Sequence, residues 1–240
     1  MVTLSKRMQA LADQVSAGTV FADIGTDHGF LPIYLVEQKK VERAIAMDVR
    51  PGPLSRAKEH VKEAGLEAKI ELRLSDGLEK LSIGEAQTIL ISGMGGPLME
   101  GILTRGAAVA KEATELILQP QSEIDGFRRF LAREGYVTLE EDMCLDEGKY
   151  YFLMKVVHQS KPEAREGYVP STDVEFAYGG LLLQQRNSLL LDFLLREKAL
   201  WEDTYTHLKQ QTPNKKIVSR MEEISKKLEL VNEGIHQIRR

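Results

Sequence analysis

A single cysteine, Cys144, stands among 240 residues. One thiol builds neither a disulfide framework nor a cysteine-based zinc site, so a reducing compartment is expected, no metal is expected, and Cys144 itself reads as a small core residue. Long apolar runs are missing too: no stretch approaches the roughly 18 residues of a membrane span. The opening Met1-Val2-Thr3-Leu4-Ser5-Lys6-Arg7 is not followed by the apolar core of a signal peptide. A cytoplasmic protein with no membrane partner is the expectation. An excess of positive charge is also lacking. With 32 Lys and Arg against 36 Asp and Glu, the chain does not draw nucleic acid by its overall field, and any contact with RNA has to come from a local patch. The 42% hydrophobic and 28% charged residues exclude a disordered or collagen-like chain and leave room for a full α/β core plus something smaller.

From residue 18 to about 158, short apolar β-branched runs alternate with longer amphipathic ones, the pattern of a mostly parallel sheet covered by helices. Strands are expected at 19–25, 43–48, 69–74, 88–92 and 115–119, then at 136–143 and 150–157. Between the last two stands Asp146-Glu147-Gly148-Lys149, a turn sequence that makes them an antiparallel hairpin. Five strand–helix units closed by a hairpin give the strand order of a class I (Rossmann-like) methyltransferase sheet, expected over residues 1–158. Beyond His158 a polar Pro/Gly segment reads as a linker into a helical region, 159–240. There Ile217, Met221, Ile224, Leu228, Val231, Ile235 and Ile238 recur at spacings of four and three, a heptad seam. Leu190, Leu194, Trp201, Tyr205 and Leu208 form the matching stripe upstream, and Thr212-Pro213 supplies a cap and a first-turn proline. An antiparallel, coiled-coil-like helical hairpin is expected. Nineteen Lys and Arg face 24 Asp and Glu up to residue 158, and 13 face 12 beyond it, so basic clusters matter more than the charge of either region.

The chemistry concentrates where the first strand ends, at Asp23-Ile24-Gly25-Thr26-Asp27-His28-Gly29. Gly25 allows a tight turn and Gly29 a close start of the next helix, as in dinucleotide-binding turns. Asp27 stands where such a turn has its second glycine, and its carboxylate repels a pyrophosphate. S-adenosylmethionine carries an ammonium and a sulfonium and no phosphate, so Asp23 and Asp27 favour it. The second strand ends in Asp48, 23 residues beyond Gly25, placed to accept from ribose hydroxyls. The third ends in Ser75-Asp76-Gly77, where an acid accepts from the adenine amino group while the adjacent backbone donates to the ring. Each Asp also suits a helix cap or turn; three of them at three successive strand ends fit one ligand edge. After the fourth strand comes Ser92-Gly93-Met94-Gly95-Gly96-Pro97. The Asn/Asp-Pro-Pro-aromatic sequence of enzymes that methylate exocyclic amines is absent there, and small residues bring backbone close to cofactor and substrate.

Leu4-Ser5-Lys6-Arg7, Asp23-Ile24-Gly25-Thr26-Asp27-His28-Gly29, Ser92-Gly93-Met94-Gly95-Gly96, Gln119-Pro120 and the helical tail together resemble the bacterial tRNA (adenine-22 N1)-methyltransferases over essentially the whole chain. The resemblance implies methyl transfer from S-adenosylmethionine to N1 of adenine 22 in tRNA. Neutral adenine already offers a lone pair at N1 and the product is a cation, so positioning and electrostatics suffice. Asp27, His28 and Met94 are the candidate catalytic residues. Asp27 is alternatively spent on the cofactor ammonium, and His28 is alternatively a helix-start residue. Asp23, Gly25, Thr26, Gly29, Asp48, Asp76, Gly77 and Gly93 are the candidate cofactor residues. The target base has to be turned out of its stack; Tyr34, Phe30 and Tyr136 are available aromatics, each better read as core. Lys6, Arg7, Arg128, Arg129, Arg133, Lys215, Lys216 and Arg220 are the candidate phosphate contacts. A monomer is the default expectation. A methyltransferase acting on a small molecule or protein, with the hairpin as a partner or dimer contact, is the alternative.

Overall fold

The apolar run Thr19–Ile24 is the middle of a parallel sheet, and its last four residues are buried, as a strand covered on both faces by helices requires. The computed structural model describes residues 2–212 and 214–240. Its first unit ends at Val169. In chain order it contains α1 (Lys6–Gln14), β1 (Thr19–Ile24), α2 (Phe30–Glu37), β2 (Val41–Asp48), α3 (Pro51–Glu63), β3 (Ile70–Leu74) and β4 (Thr88–Met94). Then follow α4 (Gly96–Arg105), α5 (Ala107–Glu112), β5 (Glu115–Pro120), α6 (Ile124–Arg133), β6 (Tyr136–Asp146) and β7 (Lys149–His158). The seven strands lie in the order β3-β2-β1-β4-β5-β7-β6, with β7 alone antiparallel to its neighbours. This is the class I methyltransferase sheet.

Alternate residues of each strand feed opposite faces. Ala22, Ile24, Ile45, Met47, Ile89 and Ile91 pack under α4 and α6 with Met99 and Phe127. Phe21, Ala44, Ala46, Leu90 and Ile117 pack under α1 and α2 with Leu11, Leu31 and Ile33. The hairpin turn is as expected: Glu147 at φ 47° and Gly148 at φ 78° join Asp146 to its partner Lys149, the positive-φ pair that a two-residue turn demands.

Several expectations are corrected. The crossover from β3 to β4 holds turns and no helix, because Ser82 and Gly84 interrupt it and its apolar residues Leu78, Leu81 and Ala86 drop straight into the core. The segment beyond His158 stays on the sheet unit: a short 3-10 turn (Pro162–Glu166) leads to Tyr168, which exchanges two 2.8 Å backbone hydrogen bonds with Thr138. Cys144 is half-buried at the edge of a core cluster. Tyr136 is buried in the core at the amino edge of the sheet, far from strand carboxyl ends, so it offers no platform to a base.

The second unit, Pro170–Arg240, contains α7 (Asp173–Tyr178), α8 (Gly180–Gln184), α9 (Ser188–Lys209) and α10 (Lys215–Arg239). Thr172 and Glu175 form a capping box on α7. The long pair is antiparallel: a Cβ on Gly234, near the end of α10, would sit 3.1 Å from Leu194 in the first half of α9 and 3.4 Å from the Tyr178 ring. The seam is therefore dry at that end, where Leu190, Leu194, Val231, Ile235 and Ile238 are buried, and only half-buried at Trp201, Tyr205, Leu208, Ile217 and Met221. The short α7 and α8, absent from the expectation, cover α10. The cap of α10 is Asn214, whose side-chain oxygen accepts from Lys216 and Ile217 N–H at 3.0 Å each; Thr212 does not cap it, and Pro213 lies outside the described residues. None of the described helices is long and apolar enough to cross a membrane.

Candidate active site

The carboxyl ends of β1, β2, β3 and β4 open onto a cavity of about 510 Å³, a small-molecule size. Its floor is the turn after β1. Gly25 and Thr26 N–H donate to the Met47 carbonyl at 2.8 and 2.9 Å, which locks the turn onto β2. Gly25 adopts φ 83°, and a Cβ there would lie 2.5 Å from Met94 Cε. The dihedral favours glycine, whereas the contact is with the movable end of the Met94 side chain. Gly29, at φ 72°, approaches Ala57 of α3 within 3.2 Å of its own missing Cβ; it packs helix on helix rather than helix on strand.

Asp23, Gly25, Thr26, Asp27, Asp48, Asp76, Gly77, Gly93 and Met94 all line this cavity. Asp48 is 6% exposed, and its Oδ1 accepts the Arg50 N–H at 2.8 Å, a local bond that fixes the carboxylate. Asp76 is exposed at the mouth and accepts from Arg105 Nη2 at 3.1 Å. Asp27 sits at φ 48°, a conformation that aspartate tolerates. It faces Arg56 Nη2 at 3.1 Å and His28 Nε2 at 3.4 Å. Thr26 is buried beside Asp23 and favours its ionised carboxylate.

Burial pushes the Asp23 carboxyl up to about 6; Thr26 opposes the shift, Asp48 adds to it and Arg7 opposes it. A folded value above the unfolded value of roughly 3.9 means that ionising Asp23 opposes folding. The cost grows as pH rises from about 4 to about 6 and stays, at about 3 kcal/mol at most, above that. Asp23→Asn is therefore expected to be more stable than wild type at pH 7. Urea unfolding should show the gap narrowing towards pH 5; a gap independent of pH would contradict the buried charge.

Other expected site residues fall elsewhere. His28 does not line the cavity; its ring stacks on Phe30 at 5.3 Å and on His60 at 5.7 Å, and it reaches the site only through Asp27. Gly95 and Gly96 also turn away. They press on the loop before α6, where a Cβ on Gly96 would meet the Ser122 carbonyl at 2.8 Å. Arg128 is 3% exposed and pairs with Glu141 at 3.0 Å, so it is corrected from a phosphate contact to a buried structural ion pair. Arg129 and Arg133 are exposed, but Arg133 ends α6 at the amino edge of the sheet, away from the cavity. Arg7, read as an RNA contact, lines the cavity, where its Nη1 donates to Gln119 Oε1 at 3.0 Å. His60, Arg56 and Arg105 were not singled out from the sequence, and Gln119 entered only within the Gln119-Pro120 motif; no local pattern gives any of them a role, since each meets the site through a contact distant in the chain. Among the described residues no group of three or more His, Cys, Asp or Glu is placed to hold a metal ion.

Residues 4–154 match the family described as a methyltransferase domain. A Bacillus subtilis (strain 168) protein named tRNA (adenine(22)-N(1))-methyltransferase is 33% identical over 232 residues, 97% of each chain. The chain belongs to the tRNA (adenine-22 N1)-methyltransferase family. The crystal structure of the B. subtilis m1A22 tRNA methyltransferase TrmK superposes with a TM-score of 0.86 at 31% identity, covering 98% of this chain and 100% of that one. A Streptococcus pneumoniae putative tRNA (m1A22) methyltransferase in complex with S-adenosyl-L-methionine superposes with a TM-score of 0.84 at 27% identity, over 98% and 100%. Similarity to this methyltransferase family extends through the helical tail as well as the sheet.

Proposed function

We propose that the chain transfers a methyl group from S-adenosylmethionine to N1 of adenine 22 in tRNA. The observation that carries this reading is the convergence of Asp23, Asp48 and Asp76, from three strand ends, on one cavity beside the glycine turn, in a chain of this family. The residues fit the cofactor: the buried acids Asp23 and Asp48 suit its cationic groups and ribose. When bound, S-adenosylmethionine supplies an electrophilic methyl group on a sulfonium. Asp48 receives the ribose hydroxyls, and Asp76 with the Gly77 backbone meets the adenine edge. Asp27, half-exposed at the cavity and held by Arg56 and His28, stabilises the positive charge that develops on the target adenine. His28 orients Asp27. Met94 closes the floor against Gly25.

Calorimetry tests the ligand: S-adenosylmethionine and S-adenosylhomocysteine are expected to bind and NAD not measurably, because Asp27 meets a pyrophosphate with like charge. NAD binding tighter than S-adenosylmethionine would contradict the reading. For tRNA, the exposed Lys215 and Lys216 of α10 are the phosphate contacts, whereas Arg220 is already paired with Glu223 at 2.7 Å. Lys215→Ala with Lys216→Ala should weaken tRNA binding and flatten its salt dependence by roughly 0.7–0.9 in log–log slope per lost contact. An unchanged slope would move the RNA surface elsewhere.

A further inference from the structure

Past the three acids the cavity continues under the ends of β4 and β5, where Ser92, Gly93, Met94 and Gln121 line it. In the strand order β3-β2-β1-β4-β5, the acids read as cofactor ligands occupy one side, at the ends of β1, β2 and β3. The β4–β5 side is left for the base that receives the methyl group.

Gln121 is the first residue beyond β5, and its backbone N–H donates to the Met94 carbonyl at 2.8 Å. That bond ties it to the end of β4 and brings its side-chain amide beside bare backbone. Gly93 stands there at φ 77°, and the nearest atoms to a Cβ built on it are Arg7 Nη1 at 3.5 Å and Gln121 Nε2 at 3.8 Å. Arg7 is already engaged. Its backbone N–H donates to Asp146 Oδ2 at 3.1 Å, its Nη1 donates to Gln119 Oε1 at 3.0 Å, and its guanidinium lies 5.3 Å from the centre of the Tyr151 ring. Gln119 is spent too, since its amide nitrogen donates to the Pro120 carbonyl at 3.1 Å. The exposed Gln121 side chain, by contrast, has no hydrogen-bond partner among the described residues.

A primary amide holds a donor and an acceptor side by side. Adenine presents the complementary pair on its Hoogsteen edge, an N6–H donor beside the N7 acceptor, whereas guanine presents two acceptors there, O6 and N7. Reading that edge also leaves N1 free. The N1 lone pair is the nucleophile, so a donor placed on it would block the reaction. As the methyl group arrives, positive charge spreads from N1 onto the exocyclic nitrogen. An oxygen that accepts from N6–H therefore binds the transition state more tightly than the ground state.

We propose that Gln121 reads the Hoogsteen edge of the target adenine, its Oε1 accepting from N6–H and its Nε2 donating to N7. It selects adenine over guanine and holds N1 open to the methyl group. The assignment rests on the methyl-transfer reading and adds to it the residue that chooses the base.

The test compares wild type, Gln121→Ala and Gln121→Glu on two tRNA transcripts, one with adenine and one with 7-deazaadenine at position 22. The analogue keeps N1 and N6 and replaces N7 by C–H. Any change it makes to the reactivity of N1 is common to the three proteins, so the readout is the preference, kcat/KM for adenine over kcat/KM for 7-deazaadenine. That preference should fall about tenfold from wild type to Gln121→Ala, because the hydrogen bond to N7 is lost. It should fall further in Gln121→Glu, whose carboxylate still accepts from N6–H but repels the N7 lone pair. Gln121→Ala should also lower kcat/KM on adenine about 10- to 100-fold, while both variants bind S-adenosylhomocysteine within about twofold of wild type by calorimetry. A preference shared by all three proteins, or weakened S-adenosylhomocysteine binding, overturns the assignment. If Gln121→Ala does not fold, the isosteric Gln121→Glu decides on the same ratio. Wild type that methylates neither transcript at position 22 overturns the methyl-transfer reading itself.

Discussion

Asp48→Ala is expected to weaken S-adenosylmethionine binding by about 10- to 100-fold. The carboxylate is buried at the end of β2, and one oxygen is committed to the Arg50 N–H at 2.8 Å. The other has no hydrogen-bond partner among the described residues, so it is available to a diol. Charge-assisted hydrogen bonds of this kind are worth about 1.5–3 kcal/mol, and about 1.4 kcal/mol is tenfold in affinity. The substitution also removes the Arg50 contact, worth about 1 kcal/mol of stability by analogy with helix caps. Calorimetry and urea unfolding on the same variant separate the two effects. Unchanged affinity with reduced stability would make Asp48 a turn residue and nothing more.

The other large effect concerns stability. Arg128→Ala removes the guanidinium partner of Glu141 inside the protein, where the two side chains are 3% and 2% exposed, and takes away a cation stacked 5.4 Å from the Phe152 ring. Breaking a buried pair from one side costs about 3–5 kcal/mol, whereas replacing both members by apolar residues is often neutral. Arg128→Ala should therefore shift the urea midpoint strongly, and Arg128→Met with Glu141→Leu should recover most of it. Arg129→Ala, on the exposed side of the same helix, should stay within about 0.5 kcal/mol. A stable Arg128→Ala that loses tRNA affinity would return this residue to the RNA surface.

Arg128 also shows where sequence reasoning stops. Within Phe127-Arg128-Arg129-Phe130 the helical period places Arg128 near the apolar face, but only a buried acid on β6 makes an arginine tolerable there, and no local pattern announces Glu141. The acids of the site were legible for the opposite reason. Asp23 and Asp48 stand in the last two residues of β1 and β2, and Asp76 two residues beyond β3, so strand ends and topology alone bring them together. The hairpin at Glu147-Gly148 was legible because Gly148 declares the positive φ that its backbone needs. Arg7 was not, since the Asp146, Gln119 and Tyr151 contacts that turn it into the cavity come from strands more than a hundred residues away. The crossover after β3 misled in a simpler way: strand–helix alternation suggested a helix, while Ser82 and Gly84 already argued for turns.

The central claim is a methyl group placed on one ring nitrogen of one tRNA adenine. Its most direct test gives the protein methyl-labelled S-adenosylmethionine and an unmodified tRNA transcript, then digests the RNA and identifies the labelled nucleoside, with a second transcript carrying guanine at position 22. The account predicts label in 1-methyladenosine from the first transcript and none from the second. Label in N6-methyladenosine, label in another nucleoside, or equal labelling of both transcripts would contradict it.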